Sequence, residues 1–240
     1  MVANDQHEKL QLTNIHNLKI SEQITYSLET PKWFHVELIN DYYKGAMKSL
    51  IYLEKEVKRM EKENNNCAWE YGVAVSTLNE MRKALIVGMF HLWFHKLQEY
   101  LVMSGNEFHP KKIIFANSGF DTVISIFKNV MDKALIAKIK KYSTLINAIK
   151  HGIGKSSTDL QSNYSEFFYP SEEYTKTDDE GYILEEAQEP LVSKYHFEEL
   201  RESLLEFWKS APDKIIVDIN QLGKKVKNSR NTCFPFTSTG

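Results

Sequence analysis

The chain has 240 residues, 42% of them hydrophobic and 26% charged, which suits one globular domain with a sizeable core. Its formal net charge of −2 excludes a globally basic nucleic-acid binder, so any such site must come from local charge. Two cysteines, Cys67 and Cys233, exclude a disulfide framework and a cysteine-built zinc site.

The opening residues, Met1 to His7, carry no basic segment followed by an apolar run, so no secretory signal is read there. The most apolar stretch, Ala84 to Phe94, is broken by Gly88 and His91 and is too short to span a bilayer. The expectation is a cytoplasmic protein with no membrane partner.

Residues 1–30 are polar with weak periodicity and read as a partly ordered lead-in. Thr30-Pro31 reads as a helix N-cap followed by proline at the first helical position. Beyond it Trp33, Val36, Ile39, Tyr43, Met47, Leu50 and Val57 recur at helical spacing. The polar run from Lys58 to Asn66 is its solvated end. A second helix is predicted from about Trp69 to Met103. Its middle is apolar nearly all round, which makes it the central core helix. Gly105 and Pro110 stop it. Shorter segments follow at about Asp121–Met131 and Lys133–His151. The latter carries the stripe Leu135, Ile139, Tyr142, Ile146 and Ile149, closed by Gly152.

Residues 153–192 hold Ser, Asn, Pro and the acidic run Glu172–Glu180, and read as one long loop. A short strand pair is predicted at Tyr182–Leu184 and Pro190–Val192. A last helix covers Tyr195–Ser210, and Gly223–Gly240 has little core material. The fold class expected is all-α: a bundle of about five helices with a long, partly irregular loop before the last. The helical domain spans 31–212, between the lead-in and a tail at 213–240.

Charge is concentrated in one place. Between Lys128 and Lys155 lie seven lysines and a single acid, Asp132, a local charge of +6. Such a surface attracts a phosphate backbone, in a way that weakens with salt. The alternative is a solvated helix face balanced by the acidic loop. Asn147 and His151 are i and i+4, so they share a helix face, and that face is not the apolar stripe. Lys140, Ser143 and Thr144 lie on it too. A histidine at a helix C-terminus complements the helix dipole, and histidine suits acid–base work near neutral pH. The alternative role is a cap that only bonds the last carbonyls.

The run Leu145-Ile-Asn147-Ala-Ile-Lys150-His151-Gly152, ending an amphipathic helix after a long buried one, resembles the HEPN superfamily. The extension Gly152-Ile-Gly154-Lys155-Ser156 is similar to a subgroup written Asn-x-x-Lys-His-x-x-Gly-x-Ser. The ending Phe197 to Pro212, with Phe207-Trp208, is similar to that subgroup's last helix. The resemblance covers roughly residues 35–212. It implies a four- or five-helix bundle, often a homodimer with composite sites. The activity it implies is that of a metal-independent endoribonuclease of bacterial defence or toxin–antitoxin systems. The family motif is Arg-x4–6-His, in which His acts on the ribose 2′-OH or leaving group and Arg holds the scissile phosphate.

Here the motif positions are Ile146, Leu145 and Thr144, and none is Arg. Carried over by position, the catalytic candidates are His151 and Asn147, with Lys150 as a substitute cation. Lys140, Lys141, Lys155 and Ser156 are the candidate RNA-binding residues. The expected partners are RNA, a second copy of the chain, and an antitoxin or other protein; no metal or cofactor is assigned. A non-catalytic interaction module on the same fold is the rival reading, and a nucleotide-binding domain around Lys150–Ser156 is a third.

Other motifs were weighed. His91, His95 and Glu99 recur every four residues and could bind zinc, but their apolar surroundings favour hydrogen-bonded core or interface histidines. Gly152-Ile-Gly-Lys-Ser156 lacks the first glycine of a phosphate loop and follows a helix rather than a strand. There is no Gly-x-Ser-x-Gly nucleophile elbow. Asp178-Asp179-Glu180 reads as an acidic loop rather than an ion site.

Overall fold

A computed structural model describes residues 23–27, 32–62, 68–104, 118–152, 154–168 and 189–218. The architecture is an all-α bundle. In chain order the elements are β1 (Gln23–Ser27), α1 (Lys32–Lys62), α2 (Ala68–Ser104), α3 (Phe120–Ser125), α4 (Lys133–His151), α5 (Lys155–Asn163), α6 (Lys194–Ser210) and β2 (Lys214–Asp218). A 3-10 turn at Ser165–Phe167 lies between α5 and α6. Among the described residues no helix is long and apolar enough to cross a membrane.

The helical hairpin α1–α2 and the pair α4–α6 enclose one core. α1 buries Ile39, Ala46, Met47 and Leu50 against α2 and α6, following the three-and-four spacing of its sequence. In α2 the turns from Ile86 to Leu101 are buried at Ile86, Met89, Phe90, Trp93, Leu97 and Leu101. The same helix touches α1, α4 and α6, the central position expected of an element apolar on several sides. α6 shares that centre through Phe197, Leu200, Leu204, Phe207 and Trp208.

α4 has the bounds its sequence implies. Asp132 caps its start by accepting from the Ala134 N–H at 3.1 Å. At its end Gly152 takes a φ of +64° and donates its N–H to the Ala148 carbonyl at 2.9 Å. α6 begins with a capping box in which histidine stands where Glu or Gln is usual. The His196 N–H donates to Ser193 Oγ at 3.4 Å, and the Ser193 N–H donates to His196 Nδ1 at 3.2 Å.

Three expectations are corrected. The stretch read as one long loop contains a nine-residue helix, α5, followed by the 3-10 turn. Leu160, Phe167 and Phe168 anchor that stretch in the core, and the Leu191 N–H bonds the Phe167 carbonyl at 2.6 Å. Of the predicted strand pair, Pro190–Val192 forms no strand and Tyr182–Leu184 lies outside the described residues. The sheet present joins the two chain segments flanking the helices instead. β1 and β2 pair antiparallel, Gln23 opposite Asp218 and Ser27 opposite Lys214. β2 alternates as a half-buried strand should, with Ile215 and Val217 buried and Ile216 59% exposed. The third helix is shorter than expected, its α-helical part ending at Ser125 before turns through Val130. The Thr30-Pro31 start, Gly105 and Pro110, and the acidic run Glu172–Glu180 lie outside the described residues.

Candidate functional site

α4 has two working sides. One is fixed to α6 by a half-buried polar cluster. Glu199 Oε2 accepts from Lys141 Nζ at 2.6 Å and from the Tyr142 hydroxyl at 2.6 Å. Glu166 stands 3.8 Å from the same ammonium, which also lies over the rings of Tyr142 and Phe167 at 5.1 and 5.5 Å. Lys141 is therefore engaged inside the fold, with its side chain 16% exposed, and does not stand among the outward-facing lysines. Burial alone would raise the pKa of Glu199. The hydrogen bonds and charge of Lys141, with Tyr142 and Lys138, reverse that and hold it below the ordinary carboxylate range. Burial, then Glu199, push the Tyr142 hydroxyl far up, so it stays a neutral donor.

The other side faces outward. Asn147, Lys150 and His151 are exposed, as their phase against the apolar stripe predicts. Among the described residues no ion pair holds Lys150, Lys155 or His151. Lys140 is half-buried and has interactions of its own; Lys155 is exposed and Ser156 half-buried at the start of α5. Ile146, where the family motif would place Arg, is 2% exposed and belongs to the core. No cation could stand there without leaving water.

Beside this face opens a cleft of about 280 Å³ between α2, α3 and α4. Asn147 is the one predicted site residue that lines it. Ser143, read as sharing the face of Asn147, lines it too, as does His91 from α2, which the sequence reading weighed only for zinc; Phe94 from α2 and Phe120 and Asp121 from α3 were missed. Phe90 and Phe120 meet with ring centroids 5.5 Å apart, and Phe94 and Phe120 at 5.9 Å. Burial lowers the pKa of His91, and the positive fields of Lys150 and His95 lower it further. At neutral pH His91 is thus a neutral imidazole with one donor and one acceptor nitrogen. The sequence singled out His91 only for its i, i+4 relation to His95; its neighbours in the cleft come from distant segments.

The zinc alternative finds no support. Glu99 is paired with Lys96 at 2.7 Å, and among the described residues no three His, Cys, Asp or Glu side chains converge to hold an ion. The run Asp178-Asp179-Glu180 lies outside the described residues. The chain matches no family model, and no curated protein or solved structure matches it.

Proposed function

We propose that this chain acts on RNA as a divergent HEPN-like protein, with the exposed end of α4 as its working surface. The observation that carries the reading is the trio Asn147, Lys150 and His151. They project together from a helix terminus, and among the described residues no acid is paired with Lys150 or His151. Lys140, about three turns back along the same helix face, and Lys155 and Ser156 just beyond the end hold the phosphate backbone.

The reaction proposed is metal-independent strand cleavage. The ribose 2′-oxygen attacks the adjacent phosphorus and the bond to the 5′-oxygen breaks. His151 gives its proton to that leaving oxygen, and Lys150 balances charge on the phosphate. The products are a 2′,3′-cyclic phosphate and a 5′-hydroxyl. The proton of the 2′-hydroxyl needs a second base, which a second copy of the chain would supply by its own His151. A homodimer with α4 near its interface is part of the proposal, as is a cytoplasmic role in bacterial defence or a toxin–antitoxin pair with a protein partner.

The test is cleavage of total RNA by purified chain. Wild type should cleave in EDTA and lose activity as salt rises. His151→Ala should lose roughly a hundred-fold or more in rate. Its melting temperature should stay close to wild type, because the side chain is exposed. Cleavage that persists in the variant removes His151 from the mechanism. Ile146 in place of the motif Arg favours a second reading, a helical module that binds RNA or protein without cleaving. Binding without cleavage by wild type would select it.

A further inference from the structure

We propose that the cleft between α2, α3 and α4 is a recognition site for one unstacked nucleobase, and that the base it selects is guanine. The assignment rests on the RNA reading above and deepens it.

Three features of the cleft converge. Its volume, about 280 Å³, is just under the usual range of small-ligand sites, which suits a ligand as small as one base. Its wall is aromatic. Phe90 is buried, while Phe94 and Phe120 are half-buried where they line the cleft. A base finds a stacking platform there that water does not use well. Its rim is polar and includes Asp121 and Asn147 with neutral His91.

The rim selects among bases by donor and acceptor count. Asp121 is exposed, is joined to no cation among the described residues, and when ionised only accepts. Guanine is the base whose Watson–Crick edge carries two adjacent N–H donors, at N1 and N2, matching the two oxygens of a carboxylate. Its O6 then accepts from the Asn147 amide or the His91 N–H. Adenine and cytosine place a ring acceptor beside their amino group, and that lone pair would oppose the carboxylate. Uracil offers one N–H between two carbonyls. Lys150 lies close enough to bias His91 electrostatically, so a base in the cleft has its phosphate within the field of the α4 terminus.

The experiment titrates the full chain with the four nucleoside 5′-monophosphates, followed by NMR chemical shifts at millimolar ligand. GMP should bind at least five-fold tighter than AMP, CMP or UMP. Asp121→Asn should erase that preference. Phe94→Leu keeps apolar bulk without a π-face and should weaken all four about ten-fold. Circular dichroism of each variant separates lost binding from lost fold. If Phe94→Leu does not fold, Asn147→Ala, at an exposed position, replaces it and should weaken GMP most. Equal binding of the four nucleotides, or GMP binding unmoved by Asp121→Asn, overturns the proposal. Guanine preference without any RNA binding keeps the cleft and removes the RNA reading; RNA binding with no base preference does the reverse.

Discussion

Removing Glu199 tests what holds α4 in place. Its Oε2 receives two charge-assisted hydrogen bonds, from Lys141 and Tyr142, each at 2.6 Å. Glu199→Ala leaves the fully buried Tyr142 hydroxyl without its acceptor and leaves Lys141 with Glu166 at 3.8 Å. Hydrogen bonds to charged groups are worth about 1.5–3 kcal/mol each. The Lys141 and Glu199 side chains keep 16% and 17% of their exposure, so the sum belongs at the low end, about 3 kcal/mol. For a domain of this size that lowers the melting temperature by about 6–12 °C. Glu199→Gln keeps an acceptor for Tyr142 and should fall between. The sign in pH follows from the lowered pKa of Glu199. Its contribution is fully present above the unfolded carboxylate value and is lost as pH falls through the lower folded value. Wild type and Glu199→Ala should therefore converge in acid. Urea and thermal melts from pH 7 down to pH 3 measure both effects. A loss below about 1 kcal/mol at pH 7, or a gap that persists in acid, would show that the cluster does not pin α4 to α6.

Two further outcomes are expected. His35 is stacked on Trp208 at 4.1 Å and edge-on to Tyr100 at 5.5 Å, with neither ring nitrogen bonded, and burial followed by the Lys96 charge lowers its pKa. The unfolded chain then takes up that proton at higher pH than the fold does, so stability falls as pH drops below the ordinary imidazole range. His35→Phe should flatten that slope between pH 7 and 5 in chemical denaturation, and identical slopes would refute it. At Gly88 an added Cβ would collide with the Tyr42 phenol oxygen and lie 3.2 Å from its Cζ. Gly88→Ala should cost about 1–2 kcal/mol net of its better helix propensity, as the phenol loses its 3.0 Å bond to the Leu85 carbonyl. Adding Tyr42→Phe should recover part of that loss in a double-mutant cycle.

The long helices were legible because burial imposes a 3.6-residue period that residues such as Leu135, Ile139, Tyr142 and Ile146 write directly into α4. Gly152 made the end of α4 legible too, whereas the Asp132 cap at its start went unread. α5 was missed because Leu160 is its one large apolar residue, too little to show a period. β1 and β2 were missed because neither strand has a local partner; each is defined by the other, almost the whole chain away. Their signal was there in Lys214-Ile-Ile-Val-Asp218, whose β-branched residues suit a half-buried strand. The site divides the same way. The exposure of Asn147 and His151 follows from helix phase alone. The engagement of Lys141 with Glu199 and the meeting of His91, Asp121 and Asn147 depend on how distant helices pack, which no local pattern encodes.

The resemblance to the HEPN motif leads to a paired substitution. Ile146→Arg would place an arginine at that motif's spacing from His151, at a position 2% exposed within the core. A guanidinium there must be buried unpaired or must force the helices apart, which costs about 3 kcal/mol or more. Thr144 stands seven residues before His151, two helical turns, so the two share a face about 10.5 Å apart along the axis. It is half-buried, and among the described residues its hydroxyl bonds only the Lys140 carbonyl of its own helix at 3.1 Å. Arginine is the better helix former, so Thr144→Arg should fold as wild type does. If the α4 face holds RNA, this cation adds one phosphate contact. Affinity for a single-stranded RNA should rise at low salt, and the slope of log affinity against log salt should steepen by about 0.7. Ile146→Arg should unfold at lower urea and gain no RNA affinity. Fluorescence anisotropy across a salt series reads the slope, and urea melts read the fold. A folded Thr144→Arg protein with an unchanged slope would take the α4 face out of the path of the RNA, whatever residue the family keeps there.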